Sequence, residues 1–307
     1  MKNLSPDFLL PSPLQALHDE HTQKAGISLF IKREDLIHEQ ISGNKYRKLK
    51  YNLAQARAQQ HDTLLTFGGA HSNHIYATAA AGYLHGFRAI GIIRGEETLP
   101  LNETLAFAQA AGMQLHYINR TDYRRKTEEN FILQLRQQFG GFYLVPEGGS
   151  NAHAVRGCSE IIAELPPFDY VACACGTGGT LAGLAAGIVE QKRNAQALGF
   201  AVLKGADFLY QDIDALLKAY HTHYIGADFS QETYQNAYQL HLDFHFGGYA
   251  KQKPELTNFI EWFEAKHHIK IEFVYTGKIL FGIYELIKQN RFQAGQKIVV
   301  LHTGGLR

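Results

Sequence analysis

The chain alternates short apolar runs with longer amphipathic stretches, and this order limits its fold more than any other feature of the 307 residues. Such alternation is typical of parallel sheets, because each parallel strand needs a long return connection that is usually a helix. The predicted strands are residues 27–32, 64–67, 89–93, 114–118, 142–145, 170–174, 199–203 and 298–302. The predicted helices are residues 45–60, 73–84, 102–111, 127–139, 154–164, 181–192, 208–220, 256–267 and 279–289. The sequence therefore predicts an α/β protein with open, twisted, mainly parallel sheets flanked by helices.

The length suits two lobes better than one core, and residues 146–151, a segment of glycine, proline and serine among polar residues, are the best candidate for a boundary. A formal net charge of +1 gives no reason to expect nucleic acid or an anionic membrane as a partner. Residues 1–17 do not have the pattern of a signal peptide, and no apolar run is long enough to span a membrane. Three cysteines do not make a disulfide framework, so we expect a cytoplasmic protein with Cys173 and Cys175 as small buried side chains.

A glycine-rich turn separates a predicted strand from a predicted helix in the second half of the chain. Backbone N–H groups in such a turn converge at the positive end of the helix dipole and bind anions. The dinucleotide fingerprint would need glycine at Leu181, and the nucleoside-triphosphate loop would need a lysine after the glycines. We therefore expect a phosphomonoester at this turn, with a tight turn that binds nothing as the alternative. The turn consists of Gly176, Thr177, Gly178, Gly179 and Thr180.

Lys45 stands at the predicted start of a helix, directly after a Gly-Asn pair. The helix dipole disfavours positive charge in the first turn, and Arg47 and Lys48 add positive charge nearby. These influences favour the neutral amine, which is the form that condenses with an aldehyde. The alternative is a solvated basic helix face, on which Arg47, Lys48 and Lys50 would point to solvent or support a phosphate region.

Residues 68–74 repeat the order of strand, glycine turn and helix. Ser72 and Asn73 stand at the predicted helix start, where capping is their ordinary role. As part of a site, the same helix N-terminus would hold a carboxylate or a ring oxygen. His71 and His74 have no third ligand at metal-binding spacing, so we expect no metal site.

Together these motifs resemble the 1-aminocyclopropane-1-carboxylate (ACC) deaminase and D-cysteine desulfhydrase family of fold-type II enzymes, which depend on pyridoxal 5′-phosphate (PLP). The resemblance runs nearly from end to end in the order and spacing of the family. It is specific because many separate segments agree. The matching segments are residues 11–15, 31–35, 43–49, 68–74, 146–151, 176–180, 247–249, 274–278 and 302–305.

The resemblance implies a role for each candidate residue. Lys45 would hold the cofactor and move the substrate Cα proton, Asn73 would bond the pyridine 3′-oxygen, and Ser72 would contact the substrate carboxylate. The implied catalytic residues are Lys45, Ser72, Tyr249 and Tyr275. The implied cofactor-binding residues are Lys45, Asn73, Gly176, Thr177, Gly178, Gly179, Thr180 and Thr303. The implied substrate-binding residues are Ser72, Asn73, His74, Tyr249 and Thr276.

Two positions divide the family. ACC deaminases resemble one another in having Glu after the second tyrosine and Leu in the C-terminal His-x-Gly-Gly, whereas this chain has Thr276 and Thr303, the pattern of D-cysteine desulfhydrases. The resemblance implies that the Thr303 hydroxyl lies near the pyridine nitrogen of PLP. A hydroxyl does not keep that nitrogen protonated as a carboxylate would, so the PLP ring withdraws electrons less strongly. That suits expulsion of a thiolate better than opening of a cyclopropane ring. We therefore expect α,β-elimination of D-cysteine or a related β-substituted small amino acid.

Other readings stay open. The first is ACC deamination, and related lyases would act on D-serine, 3-chloro-D-alanine or L-cysteate. The alternative that is not an enzyme is a protein that binds PLP without meaningful turnover. A nicotinamide-dependent oxidoreductase is disfavoured by the missing third glycine of its fingerprint.

The resemblance also implies an architecture, that of a two-domain fold-type II enzyme like the tryptophan synthase β subunit. We expect a large PLP-binding domain of residues 1–46 and 151–307 and a small domain of residues 47–150. PLP would lie between them, near the carboxyl ends of strands. Relatives are homodimers, so a homodimer is expected. Longer relatives continue beyond the segment that matches residues 302–305, and the scope of the site would differ if that extension closes it.

Overall fold

The computed structural model describes residues 7–226 and 229–306, and the ten strands in that part form two separate sheets. The strands are β1 (Leu14–Leu17), β2 (Ser28–Lys32), β3 (Thr63–Gly69), β4 (Arg88–Arg94), β5 (Met113–Ile118), β6 (Tyr143–Val145), β7 (Tyr170–Cys175), β8 (Gln196–Ala201), β9 (Tyr238–His241) and β10 (Lys297–Leu301).

The larger sheet has the strand order β1-β2-β10-β7-β8-β9, and its neighbours are parallel except for the β1–β2 pair. The smaller sheet has the order β5-β4-β3-β6 and is wholly parallel. Its four strands come from residues 63–145, whereas the larger sheet combines residues 14–32 with residues 170–301. These mainly parallel sheets confirm the predicted α/β class.

Helices connect the parallel strands and cover both sheets. They are α1 (Glu20–Ala25), α2 (Asn44–Ala58), α3 (Asn73–His85), α4 (Glu103–Ala110), α5 (Arg120–Arg124), α6 (Glu129–Phe139), α7 (Ala152–Ala163), α8 (Gly179–Glu190), α9 (Leu209–Tyr220), α10 (Pro254–His267) and α11 (Thr276–Lys288). Side-chain oxygens at the N-cap start several of them, because they satisfy backbone N–H groups that have no partner inside the helix. Ser72 caps α3, Asn102 caps α4 and Asn151 caps α7.

All eight predicted strands are present, with bounds that differ by at most three residues. The prediction misses β1 and β9, which are four residues long and lie at the two edges of the larger sheet. A run that short has too few residues to show a period of two, so its strand state depends on the neighbouring strand. The nine predicted helices are also present, and the prediction misses the short helices α1 and α5.

Strand β7 lies inside the larger sheet and is buried on both faces. Cys173 and Cys175 alternate with alanines in this strand and are 0% and 1% exposed, on the face that packs against α7 and α8. Both are free thiols, as is buried Cys158. This placement confirms the interpretation of the strand cysteines as small buried apolar side chains.

Close packing of α2 on α7 joins the two sheets. Leu49 and Ala56 place one face of α2 in the core of the smaller sheet. On the α7 side, a Cβ built on Gly157 would overlap the carbonyl oxygen of Arg47, so glycine is what lets the two helix backbones approach. The start of α2 is therefore held between both sheets.

The loops that leave the strands at their carboxyl ends meet at one place. Strands β2, β10 and β7 are neighbours, so residues 33–44, 302–305 and 176–180 emerge at the same edge of the larger sheet. Residues 70–72 and 146–151 leave the adjacent strands β3 and β6 of the smaller sheet. Parallel sheets bind their ligands at such edges.

Candidate active site between the two sheets

Lys45 is the second residue of α2, and the loop before it packs on the loop after β10. Gly43 has a φ of +67°, and a Cβ there would overlap the carbonyl oxygen of Thr303. Only glycine combines this backbone conformation with such close approach. The Lys45 amine donates to Asn44 Oδ1 at 2.9 Å, and Asn44 Nδ2 donates to Thr180 Oγ1 at 2.8 Å. These contacts bring together Lys45, Thr303 and the glycine-rich turn.

Arg47 and Lys48 do not form a solvated face, so that alternative is wrong for both. Arg47 is 1% exposed and pairs with Glu34 and Glu164. Its charge is compensated there, and it is not available to raise the local positive potential at Lys45 as the sequence suggested. Lys50 is partly exposed and pairs with Glu160 at 2.8 Å.

Lys48 lies beside the glycine-rich turn instead, where it could take the other role considered for these basic residues, support of a phosphate. Its amine donates to Ser150 Oγ at 3.0 Å and to the carbonyl oxygen of Gly148 at 3.2 Å. Ser150 Oγ is 2.6 Å from Thr177 Oγ1 in the glycine-rich turn. Burial lowers the pKa of Lys48 from its ordinary value. The segment 146–151 is therefore a wall of this region as well as a connection between the two sheets.

The glycine-rich turn leads into the N-terminus of α8. A Cβ on Gly179 would lie 2.5 Å from Ser150 Oγ and 3.1 Å from Lys48 Nζ, so the first residue of α8 leaves no room for a side chain between the helix and these polar groups. An ammonium group, three hydroxyls and a helix N-terminus are the donors that a phosphate dianion needs. We name this set the phosphate cradle; its residues are Lys48, Ser150, Thr177, Thr180 and Gly176 to Gly179.

Ser72 and Asn73 lie at the N-terminus of α3, opposite the C-terminal loop. Ser72 Oγ accepts from the backbone N–H groups of His74 at 3.2 Å and Ile75 at 3.3 Å, so capping is one of its roles. The Asn73 amide lies against the last glycines, since a Cβ on Gly305 would be 2.8 Å from Asn73 Nδ2. Asn73 therefore faces the same loop that contacts the segment before Lys45.

The His74 ring is buried between β3 and the segment 146–151. Thr66 Oγ1 donates to the carbonyl oxygen of Val145, so it accepts from His74 Nε2–H at 2.7 Å. Burial, with positive charge from Lys45 and Lys48, holds the pKa of His74 well below its ordinary value, and the ring is neutral. The ring therefore bonds strand β3 through Nε2, while the His74 backbone N–H donates to the Ser72 cap. His71 is exposed.

Tyr275 and Tyr249 meet through their hydroxyls. Tyr275 Oη donates to Tyr249 Oη at 3.2 Å, and the rings pack edge to face with centroids 6.0 Å apart. A Cβ on Gly176 would lie 3.9 Å from the Tyr275 ring, which places this tyrosine beside the phosphate cradle. Burial raises the pKa of Tyr275 well above its ordinary value, so its phenol keeps its proton. Tyr249 is 42% exposed, so its side of the tyrosine pair is open to solvent.

Glu272 joins the same region and was missed by the sequence analysis. Its carboxylate accepts from the backbone N–H groups of Val274, Tyr275 and Thr276 at 2.5, 3.0 and 2.6 Å. It therefore caps α11, where negative charge is favoured by the helix dipole. Burial raises its pKa above the ordinary value. The available signal was an acidic residue four positions before the start of a helix. It was not usable, because the apolar residues around Glu272 do not show where α11 begins.

Thr276 and Thr303, the two threonines to which the resemblance drew attention, are both buried. Thr276 is the first residue of α11 and is 0% exposed, and Thr303 follows β10 and is 8% exposed. Gly305 connects their surroundings, because a Cβ there would be 3.4 Å from Glu272 Cγ. Every candidate residue from the sequence thus lies around one region between the sheets.

Comparison with known proteins agrees with this arrangement. The family model described as "Pyridoxal-phosphate dependent enzyme" matches residues 7–304. The chain belongs to this family. A protein of Pyrococcus horikoshii, provisionally named a 1-aminocyclopropane-1-carboxylate deaminase, is 30% identical over 96% of this chain and 89% of its own. The bifunctional D-cysteine desulfhydrase/1-aminocyclopropane-1-carboxylate deaminase, mitochondrial, of Arabidopsis thaliana is 30% identical over 92% of this chain and 73% of its own.

The solved structures add the fold. The crystal structure of an ACC deaminase homologue matches with a TM-score of 0.83 and 28% identity, over 98% of this chain and 91% of that one. The pyridoxal-phosphate-dependent enzyme is therefore of fold type II, as the motifs implied, and PLP is its cofactor.

The residues present fit PLP. The cradle supplies an ammonium group and hydroxyls for a phosphate dianion, and Lys45 supplies a primary amine within the same hydrogen-bonded chain through Asn44 and Thr180. No group of three or more histidine, cysteine or acidic side chains in residues 7–226 and 229–306 is placed to hold a metal ion. In the same ranges, no helix is both long and apolar enough to cross a membrane.

Proposed function

We propose that this PLP-dependent enzyme catalyses the α,β-elimination of D-cysteine or a closely related β-substituted small amino acid. With one water molecule, D-cysteine would yield pyruvate, ammonia and hydrogen sulfide. The observation that supports elimination most directly is the pair Thr276 and Thr303, buried at the start of α11 and after β10, where ring-opening relatives have Glu and Leu.

The side chains divide the work as follows in this proposal. Lys45 holds the cofactor and takes the proton from the substrate Cα. Ser72 and the start of α3 bind the substrate carboxylate, and Asn73 holds the cofactor 3′-oxygen. Bound PLP supplies electron withdrawal from Cα. Tyr275 Oη donates to Tyr249 Oη, which leaves the proton of the Tyr249 hydroxyl for the departing sulfur in this proposal.

The choice of leaving group follows from the same residues. A thiolate is a good leaving group, so its expulsion from Cβ needs a proton and only moderate electron withdrawal. Opening a cyclopropane ring needs stronger withdrawal and an acid or a nucleophile. The Glu272 carboxylate accepts from three backbone N–H groups at and just before the start of α11, so it does not replace the acid that ring-opening relatives have after the second tyrosine.

ACC deamination is the second candidate function. The relatives named above support it, since one has ACC deaminase in its provisional name and the Arabidopsis relative has both activities in its name. The tyrosine pair is compatible with either reaction.

The lobes follow as part of the proposal. We infer that residues 1–46 and 151–307 form the large PLP-binding domain and residues 47–150 the small one. The strand membership of the two sheets supports this division, and α2 spans its first boundary. The substrate would enter between the lobes, where Tyr249 is exposed.

An absorption spectrum tests the role of Lys45. The purified protein is expected to show a visible band from bound PLP, and Lys45→Ala is expected to lose it. Lys50→Ala is the matched control, because Lys50 is on the same helix but pairs with Glu160 away from the cradle. A Lys45→Ala protein with the unchanged visible band would contradict the assignment.

A substrate panel separates the two functions. Sulfide and pyruvate release is measured with D-cysteine and L-cysteine, and 2-oxobutanoate and ammonia release with ACC. We expect turnover of D-cysteine and little of ACC. Turnover of ACC alone would show that the two threonines do not decide the reaction. A protein that binds PLP and turns over none of these would favour the non-catalytic alternative.

A further inference from the structure

Lys278 is a fully buried lysine in the first turn of α11. It is 0% exposed, and its amine donates to the carbonyl oxygens of His245 at 2.9 Å and Gly248 at 2.8 Å. Both carbonyls belong to the loop that precedes Tyr249. Burial lowers the pKa of Lys278 to about 8, and the amine keeps N–H donors in either protonation state.

The loop that Lys278 holds has a strained backbone. Phe246 and Ala250 have φ values of +54° and +52°, and Gly247 and Gly248 between them have φ values of +100° and +129°. A residue with a Cβ in the left-handed region costs about 1 kcal/mol or more, so such a loop persists only where other contacts hold it. The two hydrogen bonds from Lys278 are contacts of this kind, and they bracket Phe246 and Gly247.

One helix end therefore holds both tyrosines. Tyr275 is the N-cap of α11, where the Glu272 carboxylate binds its backbone N–H. Lys278 follows it by less than one turn and binds the loop of Tyr249. The two hydroxyls then meet at 3.2 Å. The loop is also held by a turn from Gly248 N–H to the His245 carbonyl and by the Phe246 ring on Phe281, and the two Lys278 hydrogen bonds add to these contacts.

We propose that Lys278 is a positioning residue that sets the place of the Tyr249 hydroxyl against Tyr275, and so controls delivery of a proton to the leaving group. It acts through the loop of residues 245–250 and touches neither substrate nor cofactor. The proposal rests on the proposed function, in which the tyrosine pair faces the leaving group.

The test compares Lys278→Met with Lys288→Met in the PLP-loaded enzyme. Lys288 is on the same helix, is half exposed and pairs with Glu285, so its loss leaves the loop untouched. A small displacement of a reacting group costs up to about a hundredfold in rate. We expect Lys278→Met to lower kcat by roughly tenfold to a hundredfold. PLP absorbance and KM should stay close to wild type, and Lys288→Met should match wild type throughout. An unchanged kcat in Lys278→Met would overturn the proposal.

A double-mutant cycle with Tyr249→Phe separates positioning from general loosening of the core. If Lys278 acts through Tyr249, Lys278→Met should have little further effect on kcat once the hydroxyl is gone. Two effects that multiply would show that Lys278 acts elsewhere and would overturn the inference.

Amide hydrogen exchange gives a readout that does not need turnover. Exchange in residues 245–250 should be faster in Lys278→Met than in wild type, with exchange in the phosphate cradle unchanged. If residues 245–250 exchange equally fast in Lys278→Met and in wild type, Lys278 does not hold this loop, whatever the substrate of the enzyme is. If the wild-type protein turns over none of the candidate amino acids but Lys278→Met still exchanges faster in this loop, the proposed function is wrong. The role of Lys278 in holding the loop would then still stand.

A second variant serves if Lys278→Met does not fold. Gly248→Ala changes the backbone preference at φ +129°, and its Cβ would meet nothing nearer than Lys204 Cβ at 3.7 Å. Gly248 is buried and its carbonyl accepts from Lys278, so this change disturbs the part of the loop that Lys278 holds. We expect the same loss of kcat with unchanged PLP absorbance, and wild-type kcat in Gly248→Ala would overturn the proposal.

Discussion

Replacing Arg47 with Met tests the buried charge network that holds the start of α2. The guanidinium donates to both oxygens of Glu34 at 2.9 Å and to both oxygens of Glu164 at 2.7 and 2.8 Å. Lys32 donates to Glu164 at 2.7 Å, and Ser12 Oγ donates to Glu34 at 2.6 Å. Methionine has a similar length and no donor. Glu34 is 0% exposed, and among the residues that the structure describes only the Ser12 hydroxyl would still donate to it.

The magnitude follows from which carboxylate is left alone. Removing one partner of a buried ion pair costs about 3–5 kcal/mol, because the remaining charge is uncompensated. Glu164 keeps Lys32, so most of the cost falls on Glu34, and we expect a loss of about 3–4 kcal/mol in the free energy of unfolding. At about 2 °C per kcal/mol for a chain of this size, Tm should fall by roughly 6–8 °C.

The assay is thermal unfolding followed by circular dichroism at pH 7 with saturating PLP. Arg57→Met is the matched control, since Arg57 lies on the exposed face of the same helix, where it stacks on Phe87. Its loss should cost at most about 1 kcal/mol. If Arg47→Met shifts Tm no more than Arg57→Met does, the buried pairs contribute little beyond an apolar side chain and the reasoning is refuted.

Three further predictions concern the cradle, the loop contact and acid stability. Lys48→Met should weaken PLP binding about tenfold to a hundredfold by loss of a charge-assisted hydrogen bond, whereas Lys50→Met should not; a fluorescence titration with PLP measures both. Gly43→Ala should lower Tm by several degrees, because its Cβ overlaps the Thr303 carbonyl; a variant as stable as wild type would contradict this contact. Although burial opposes it, hydrogen bonds from a histidine and a tyrosine lower the pKa of Asp19 below 3.8. The stability that Asp19 contributes is then present above pH 3.8 and lost as the pH falls below it, so the advantage of wild type over Asp19→Asn in urea unfolding should shrink between pH 5 and pH 3.

The place of a candidate site residue in the fold could be predicted where its motif lies next to a predicted boundary between strand and helix. The glycine-rich turn, Ser72 and Asn73 each lie at the start of a helix, so their N-terminal position was visible from the pattern. The role of Lys48 was not decided, because a basic residue at a helix start looks the same whether it faces solvent or a phosphate cradle. Its partners, Gly148 and Ser150, lie about one hundred residues away in the chain.

The electrostatic role predicted for Arg47 was wrong for a similar reason. The sequence suggested a positive neighbour that favours a neutral Lys45, and the structure pairs Arg47 with Glu34 and Glu164, 13 and 117 residues away. Electrostatic effects depend on distances in space, so a run of charges in the chain does not predict the local potential.

The sequence by itself determined the α/β class, the parallel sheets, the family and the cofactor, because hydrophobic period and motif order are local or ordered along the chain. Only the tertiary structure decided which side chains form the cradle, why Lys45 stands beside Thr303, and how α11 holds both tyrosines. Those contacts join residues that are far apart in the chain, and they form where the carboxyl ends of neighbouring strands bring their loops to one edge. The tertiary structure also decided the short strands β1 and β9, because they are strands only through pairing with a neighbouring strand.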